Sequence, residues 1–423
     1  FWAWDFRLAE DYALEARLRH ASQQIWIYVE EGATVSDLAI ARLARSFEDQ
    51  VQPRLREAFG REPYPGIDGR EAITILLLDV RDDVYYRMPP HQYISGYFDA
   101  VNQLPRAELG PGDRRSNERE MIYLDVAPTD PEGAVLAQSA AHEYAHLIAW
   151  NYDPYEDRWL DEVIGQLAVH VAGLGHPEEQ LAAFLAAPEG SLTAWTGSVA
   201  DYGRAYAFGL YAFERFGGAD TDAAARLVQG RRNGLASLGD LISAPATVGT
   251  LLRDFGVALR LDLPPHVEPH LGFRALEIGS AEPGALPAPA EHVHEVDALP
   301  TDEEVVVMAP WSVRFERFDV GGAPLSVWLH ADAPACYGAT WLVGDERPAE
   351  APRLDCAIGG RAQRIALAPA PPRGALALVV ANPSDRMLAL RRSASVVVET
   401  QSTPERLFLP FGQAGGSRGR AGR

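Results

Sequence analysis

The feature that most restricts the fold of this chain is a pair of histidines four positions apart on a predicted helix. A second predicted helix, with two adjacent acidic residues, follows it. The segment AAHEYAHLIAWNYDPYEDRWLDEV occupies residues 140–163. Residues four apart on a helix share one face, so the imidazoles of His142 and His146 project together. Two such nitrogens can bind one zinc ion at about 2.0–2.1 Å. Glu143 is adjacent to the pair, where its carboxylate can hold and deprotonate a metal-activated water.

A catalytic zinc ion also needs a third protein ligand and an open position. The pattern H-E-x-x-H-x-x-G-x-x-H is excluded, because Ala149 and Tyr152 occupy the positions of its glycine and its last histidine. The remaining common solution is a carboxylate from the next helix. The short loop 151–157 brings Asp161 and Glu162 back towards the histidines. Two alternatives stay open: a His/Glu pair on a solvated helix face, and a metal with a structural role only.

Patterns along the chain predict a strand-rich half followed by a helical half. Predicted strands are IWIYVEE (25–31), AITILLLDV (72–80), YISGYFDA (93–100) and EMIYLDV (120–126). A 3.6-residue period over Val35–Phe59 predicts one long amphipathic helix. From Pro131 we predict helices at 131–150, with Thr129 or Asp130 as N-cap, and at 157–174, 178–187, 200–217, 220–231, 235–243 and 248–260.

These patterns predict an α+β fold with several units. They are a strand-rich half (1–130), a helical half with the zinc site (131–272), a Pro/Ala/acidic linker (273–303), a small antiparallel β-sandwich (304–400) and a disordered tail (401–423). The only cysteines, Cys336 and Cys356, lie in the predicted sandwich. As a disulfide they would stabilise the fold by about 3 kcal/mol and fit an extracellular address. Two unpaired thiols are the alternative.

Charge and composition exclude several classes of partner and chemistry. The formal net charge is −21, from 59 acidic and 38 basic residues. This excess repels phosphate backbones and anionic lipid, so nucleic acid and membrane surfaces are not expected partners. All basic residues other than histidine are arginine, which excludes Walker-A and Schiff-base lysines. No apolar run approaches the ~18 residues of a membrane span. No leader pattern is visible and the chain starts without Met, which favours a leader already removed.

The zinc-helix segment resembles the core of gluzincin metallopeptidases, in which an H-E-x-x-H helix precedes a W-L-N-E helix. The order IYVE (27–30), LLLDV (76–80), GYFDA (96–100) and IYLDV (122–126) is similar to that of secreted bacterial hyicolysin-type peptidases, over about residues 20–262. The resemblance implies a gluzincin-like domain. It also implies His142, His146 and Glu162 as zinc ligands, with Glu143 as general base.

Two positions depart from the W-L-N-E-G pattern of that family. Asp161 replaces its asparagine and Val163 replaces its glycine. Asp161 adds a second carboxylate, either a partner of the ligands or a rival ligand. We expect Val163 to narrow the space near the metal.

A stretch rich in aromatic residues, ADYGRAYAFGLYAFERFGG (200–218), resembles a Y-G-x-A-Y-x-F stretch of such families. A phenol at Tyr202 would donate a hydrogen bond to the oxyanion that forms when water attacks a carbonyl. The alternative is that Tyr202, Tyr206, Tyr211 and Phe213 pack one helix face. We expect His170 to be a core histidine.

The sequence therefore predicts a secreted or cell-surface zinc metallopeptidase, with Zn²⁺ as cofactor. We expect an endopeptidase that acts as a monomer on peptide or protein substrates. The competing hypothesis is a non-catalytic surface or binding protein that retains a degenerate peptidase scaffold and binds through its β-sandwich. A zinc hydrolase of non-peptide amides or esters is a third possibility.

Overall fold

The computed structural model describes residues 1–88, 93–110, 112, 114–216, 222–242, 246–295, 304–320, 325–343, 351–357, 362–365 and 374–396. Within these ranges the chain is a mixed α+β protein with several sheets, as predicted. The predicted tail at 401–423 lies outside the described residues. No helix in the described ranges combines the length and the apolar character that a bilayer span requires.

A five-stranded sheet forms the N-terminal part. Its strands are β3 (Ala16–Ala21), β4 (Ile25–Glu30), β5 (Ile73–Leu78), β6 (Gly96–Phe98) and β7 (Met121–Asp125), in the order β3-β4-β5-β7-β6. The central strands β4, β5 and β7 are parallel, and β3 and β6 are antiparallel to their neighbours. Every residue of β5 and β7 is buried, which explains why most of their residues are apolar.

The N-terminal strands were not predicted. β1 (Trp2–Asp5) and β2 (Glu10–Ala13) form a separate antiparallel hairpin, and β3 follows it at the sheet edge. Most residues of β3 are exposed, and buried and exposed positions do not alternate along it. The strand therefore lacks the period-two pattern by which a strand is identified in a sequence. Its position is set by pairing with β4.

The helix predicted over 35–59 is interrupted. Helix α1 (Asp37–Ser46) continues through a π-helical turn (Phe47–Val51) into α2 (Gln52–Ala58). Pro53 lacks the N–H that an α-helical bond to the carbonyl four residues earlier requires. The wider turn avoids this conflict, and the Gln52 N–H donates to the Phe47 carbonyl.

In its described residues the helical half contains two long helices and five shorter or flanking ones. They are α3 (Ala134–Tyr152), α4 (Arg158–Val171), α5 (Glu178–Ala186), α6 (Val199–Phe216), α7 (Asp222–Gln229), α8 (Gly234–Leu241) and α9 (Val248–Leu261). The predicted start of α3 was wrong, because its N-cap is Gly133. Asp130 instead accepts the Glu132 N–H in a preceding turn, and the Thr129 hydroxyl donates to Asp125.

The described residues of the C-terminal part form two sheets. One has the order β13-β12-β15-β10-β8 and the other β14-β11-β16-β9, and a shared apolar core lies between them. Their strands are β8 (His292–Glu295), β9 (Glu304–Met308), β10 (Ser312–Asp319), β11 (Leu325–Ala331), β12 (Ala335–Val343), β13 (Arg353–Ala357), β14 (Ala362–Ile365), β15 (Gly374–Asn382) and β16 (Leu388–Val396). Of the two states that the sequence left open for the cysteines, the structure has the disulfide, which joins Cys336 of β12 to Cys356 of β13.

The C-terminal sheets are packed directly against the helical half. Gly256 of α9 lies so close to β10 and β15 that an added Cβ would be 3.0 Å from Val313 and 2.9 Å from Val379. Residues 292–295 lie in the predicted linker, yet they form β8, which pairs in parallel with β10. His292 contacts Glu189 of the helical half at 2.8 Å. The described part of the predicted linker therefore contributes to this packing.

Candidate metal centre

Helix α3 places two imidazoles on one face. The rings of His142 and His146 have centroids 4.7 Å apart, and their Nε2 atoms are separated by 3.0 Å. His146 is buried and His142 is partly buried. The four-residue spacing produces this convergence, as predicted from the sequence.

Helix α4 brings a carboxylate to the same point. The Glu162 Oε2 atom lies 3.3 Å from Nε2 of His142 and 4.0 Å from Nε2 of His146. One ligand atom from each of these three residues lies within 4.8 Å of the others, and in the described part of the chain they form the only such group of histidine, cysteine and acidic side chains. Burial alone would raise the pKa of Glu162, but the close contact with His142 and the charges of both imidazoles lower it.

The donor set fits a zinc ion. Oε2 of Glu162 is buried and has no hydrogen-bond partner among the described residues. A buried carboxylate oxygen without a partner is costly, and a cation beside it removes that cost. Two imidazoles and one carboxylate are a common protein ligand set of catalytic zinc.

Asp161 faces a different atom from its neighbour. Its Oδ1 lies 3.1 Å from Nδ1 of His146, on the side of the ring opposite the converging Nε2 atoms. Burial would lower the pKa of His146, but the Asp161 carboxylate raises it. Of the two carboxylates left open by the sequence, Glu162 meets both histidines and Asp161 orients one of them.

Glu143 is buried between α3 and the sheet edge. A Cβ on Gly96 of β6 would lie 2.9 Å from the Tyr123 carbonyl oxygen and 3.2 Å from Cγ of Glu143, so the strand leaves room only for glycine there. Burial raises the pKa of Glu143, and the charges of His142 and His146 offset this only in part. The carboxyl group lines the same cavity as the two histidines.

Tyr202, at the start of α6, also lines this cavity. Its ring centroid is 6.2 Å from that of His142. Burial, followed by the Glu162 and Glu143 charges, raises the pKa of the phenol. Tyr206 and Tyr211, further along α6, are fully buried in the core. The aromatic residues of this helix thus have different surroundings.

The metal cavity, which has a volume of about 330 Å³, includes residues that the sequence did not indicate. Trp4 of β1 and Phe6 of the turn between β1 and β2 lie in its wall, as does Arg114. Arg114 stacks on Trp4 with its guanidinium carbon 3.7 Å from the ring centroid, and it is paired with Asp11 and Asp99. The aromatic alternation FWAWDF was a signal for a strand, but nothing local indicated that it would reach this cavity.

Val163 and His170 both lie outside the wall of the metal cavity. The expectation that Val163 narrows the space near the metal was therefore wrong. Val163 is buried and packs against Gly209 of α6, where a Cβ would be 2.9 Å from it. His170 is stacked with His176 at a centroid distance of 5.8 Å, away from the metal cavity, with desolvation by burial lowering its pKa.

Comparisons with known proteins do not assign the chain to a family. No family model and no curated protein matches the chain. A de novo designed double-stranded β-helix is similar at 16% identity and a TM-score of 0.17, over 22% of this chain and 100% of that one. A family GH115 4-O-methyl-α-glucuronidase with specificity for decorated arabinogalactans is similar at 8% identity and a TM-score of 0.17. That match covers 65% of this chain and 43% of the enzyme. Likenesses this weak support no argument about fold or function.

Proposed function

We propose that this protein is a secreted or cell-surface zinc-dependent endopeptidase with a gluzincin-like catalytic domain. The observation that supports this most strongly is the convergence of His142, His146 and Glu162 from two adjacent helices. The buried carboxylate oxygen among these atoms has no other partner in the described residues. The resemblance of HEYAH and WLDE to gluzincins selects the same three residues.

The bound zinc would supply Lewis-acid chemistry, polarising the scissile carbonyl and making water more acidic. Glu143 provides the proton transfer: its carboxylate takes a proton from the attacking water and passes it to the nitrogen of the leaving amine. A general base works best when its pKa lies near the working pH. The raised pKa of Glu143 is in the right direction for this role.

Tyr202 would stabilise the charge that develops on the substrate. Because its pKa is raised, the phenol keeps its proton at neutral pH and remains a donor. The ring lies in the wall of the metal cavity, 6.2 Å from that of His142. From there the hydroxyl can donate a hydrogen bond to an oxyanion that forms beside the metal.

The sheet edge supports cleavage within a chain. β6 is the last strand of its sheet in the described residues, and it pairs with β7 on one side only. An extended peptide could add to such an edge through main-chain hydrogen bonds. Gly96, Tyr97 and Phe98 of this strand lie in the wall of the metal cavity. A substrate paired there would pass the metal with residues on both sides of the scissile bond.

The test is a comparison of Glu143→Gln with the unchanged protein. We expect the variant to keep its zinc content, because Glu143 is not a ligand, and to lose casein cleavage by about 10²–10⁴-fold. Zinc is measured by mass spectrometry and cleavage with and without a chelator. Glu57→Gln, on the exposed side of α2, is the matched control. Zinc-loaded protein that cleaves no peptide would instead favour a binding protein, and full turnover by Glu143→Gln would exclude its role as base.

A further inference from the structure

A second cavity, of about 530 Å³, lies between the helical half and the C-terminal sheets. Trp159 of α4 and Trp195 of the loop after α5 form part of its wall. The opposite side includes Ala236 of α8 and Asp385, which lies in the loop between β15 and β16. This cavity is therefore built by both parts of the molecule.

The second cavity adjoins the metal cavity. Arg158 lines both of them, and its side chain is 73% exposed. The Trp195 ring, in the wall of the second cavity, contacts the Tyr202 ring, in the wall of the metal cavity, at a centroid distance of 4.9 Å, and Tyr202 lies 6.2 Å from His142. The two neighbouring cavities together are called the groove below.

The loop that holds Trp195 is ordered by hydrogen bonds of buried charged groups. The Thr196 N–H donates to Asp201 at 3.0 Å, and Arg204 donates to the Ser191 carbonyl at 2.6 Å. Asp201 and Arg204 are themselves paired at 2.8 Å. The position of Trp195 is thus set before any ligand arrives, which lowers the entropy cost of binding.

The groove offers both apolar surface and hydrogen-bonding groups. The Trp195 Nε1 atom is buried and has no partner in the described part of the chain. Asp385 accepts a hydrogen bond from Trp311 at 2.6 Å through Oδ1, and its Oδ2 forms none with the described residues. Aromatic faces with a few polar groups suit a polypeptide, which presents side chains and amides alternately.

We propose that this groove binds a distal part of an extended polypeptide substrate, so that the C-terminal sheets take part in substrate binding through Asp385. The proposal rests on the proposed peptidase function. The two ring-to-ring steps from His142 to Trp195 correspond to about three residues of extended chain, at about 3.3–3.6 Å each. Peptides that extend this far from the scissile bond gain contacts with the second cavity, and short peptides do not.

The test uses two fluorescein-labelled casein peptides with a common centre, of about 15 and about 5 residues, since only the longer can span both cavities. Ala236→Arg fills the groove, and Gly239→Arg adds the same side chain to α8 at a position with no atom within 4 Å. Binding is measured by fluorescence anisotropy in zinc-loaded Glu143→Gln protein, and kcat/KM in the otherwise unchanged enzyme.

For the long peptide, we expect Ala236→Arg to raise Kd and lower kcat/KM by about tenfold, which corresponds to about 1.4 kcal/mol. The short peptide and the Gly239→Arg control should change less than about twofold. Equal Kd values for the two arginine variants, or equal losses with both peptides, would overturn the proposal. Absence of cleavage by the unchanged protein would count against the proposed peptidase function. The anisotropy measurement does not depend on cleavage, so it tests peptide binding in the groove separately.

A second variant tests the contribution of the C-terminal sheets. Asp385→Asn keeps an acceptor for Trp311 but removes the negative charge. We expect kcat/KM to fall several-fold for a long peptide with an arginine in its distal part, and to be unchanged when that arginine is replaced by glutamine. Identical values for both peptides would show that Asp385 does not contact the substrate.

Discussion

Two adjacent carboxylates on α4 have different environments although they differ by one methylene. Glu162 approaches the converging nitrogens of both histidines, and Asp161 approaches the opposite nitrogen of His146 alone. Successive helical residues are rotated by about 100°, so they cannot meet the same atom from the same side. The residue type does not separate these roles, but the position on the helix does.

Zinc affinity should distinguish the two carboxylates. Loss of a residue that hydrogen-bonds to a metal ligand lowers metal affinity by about 10–100-fold. Glu162→Ala removes a ligand itself, so we expect the zinc affinity of this variant to fall by clearly more than that. For Asp161→Asn we expect a loss within that range, because His146 loses the negative charge beside its Nδ1 atom but keeps its metal-facing nitrogen. The measurement is a competition titration against a chromophoric chelator. A larger loss in Asp161→Asn than in Glu162→Ala would make Asp161 the ligand.

The hydroxyl of Tyr202 should affect turnover rather than binding. We expect Tyr202→Phe to lower kcat by about 10²–10³-fold, as loss of one oxyanion donor does, with KM and zinc content nearly unchanged. Tyr155→Phe removes a hydroxyl from a side chain that is 83% exposed and should have no effect. Steady-state kinetics on a casein peptide separates kcat from KM. An unchanged kcat would leave Tyr202 with a packing role.

At the scale of elements, the metal centre depends on the close approach of α3 and α4. Gly165, in the interior of α4, is unfavourable by about 0.5–1 kcal/mol relative to alanine in a helix. A Cβ there would lie 2.7 Å from the Cε1 atom of His142. The glycine therefore allows the imidazole to lie against the backbone of the neighbouring helix.

Replacing this glycine should weaken the metal site. Gly165→Ala would push His142 away from Glu162, and we expect zinc affinity to fall by at least about tenfold, comparable to loss of an orienting partner. Gly239→Ala makes the same change in α8 with no atom within 4 Å, and should raise stability by about 0.5–1 kcal/mol. Zinc titration and urea unfolding of both variants provide the comparison. Unaltered affinity in Gly165→Ala would mean that α4 moves without cost.

The elements that the sequence predicted well are those with a strong local signal. The run ITILLL is buried on both faces, and its strand is found as predicted. The His142–His146 spacing placed both imidazoles correctly because helix geometry is local. By contrast, β8 and the N-terminal hairpin depend on partners distant in the sequence, such as β10. A local pattern such as the alternation in FWAWDF can indicate a strand, but it does not identify the strand's partner, so these positions could not be derived from the chain alone.

At the scale of the whole molecule, the C-terminal sheets and the helical half share one apolar core. That core includes Phe255 and Val257 of α9 together with Val313 and Val379 of the C-terminal sheets. Arg314 of β10 donates two hydrogen bonds to Glu189, each at 3.0 Å, across the same boundary. Since the second cavity lies at this boundary, its shape depends on the contact between the two parts.

Disrupting this contact should separate the unfolding of the two parts. Gly256→Leu places a side chain where even a Cβ would be 2.9 Å from Val379, so we expect it to force the sheets away from α9. Calorimetry should then show two transitions in place of the single one expected for a shared core, and limited proteolysis should cut between α9 and β9. Gly239→Leu, exposed on α8, is the control and should keep one transition. A single transition at an unchanged temperature in Gly256→Leu would show that the two parts adjust to the added side chain without losing their contact.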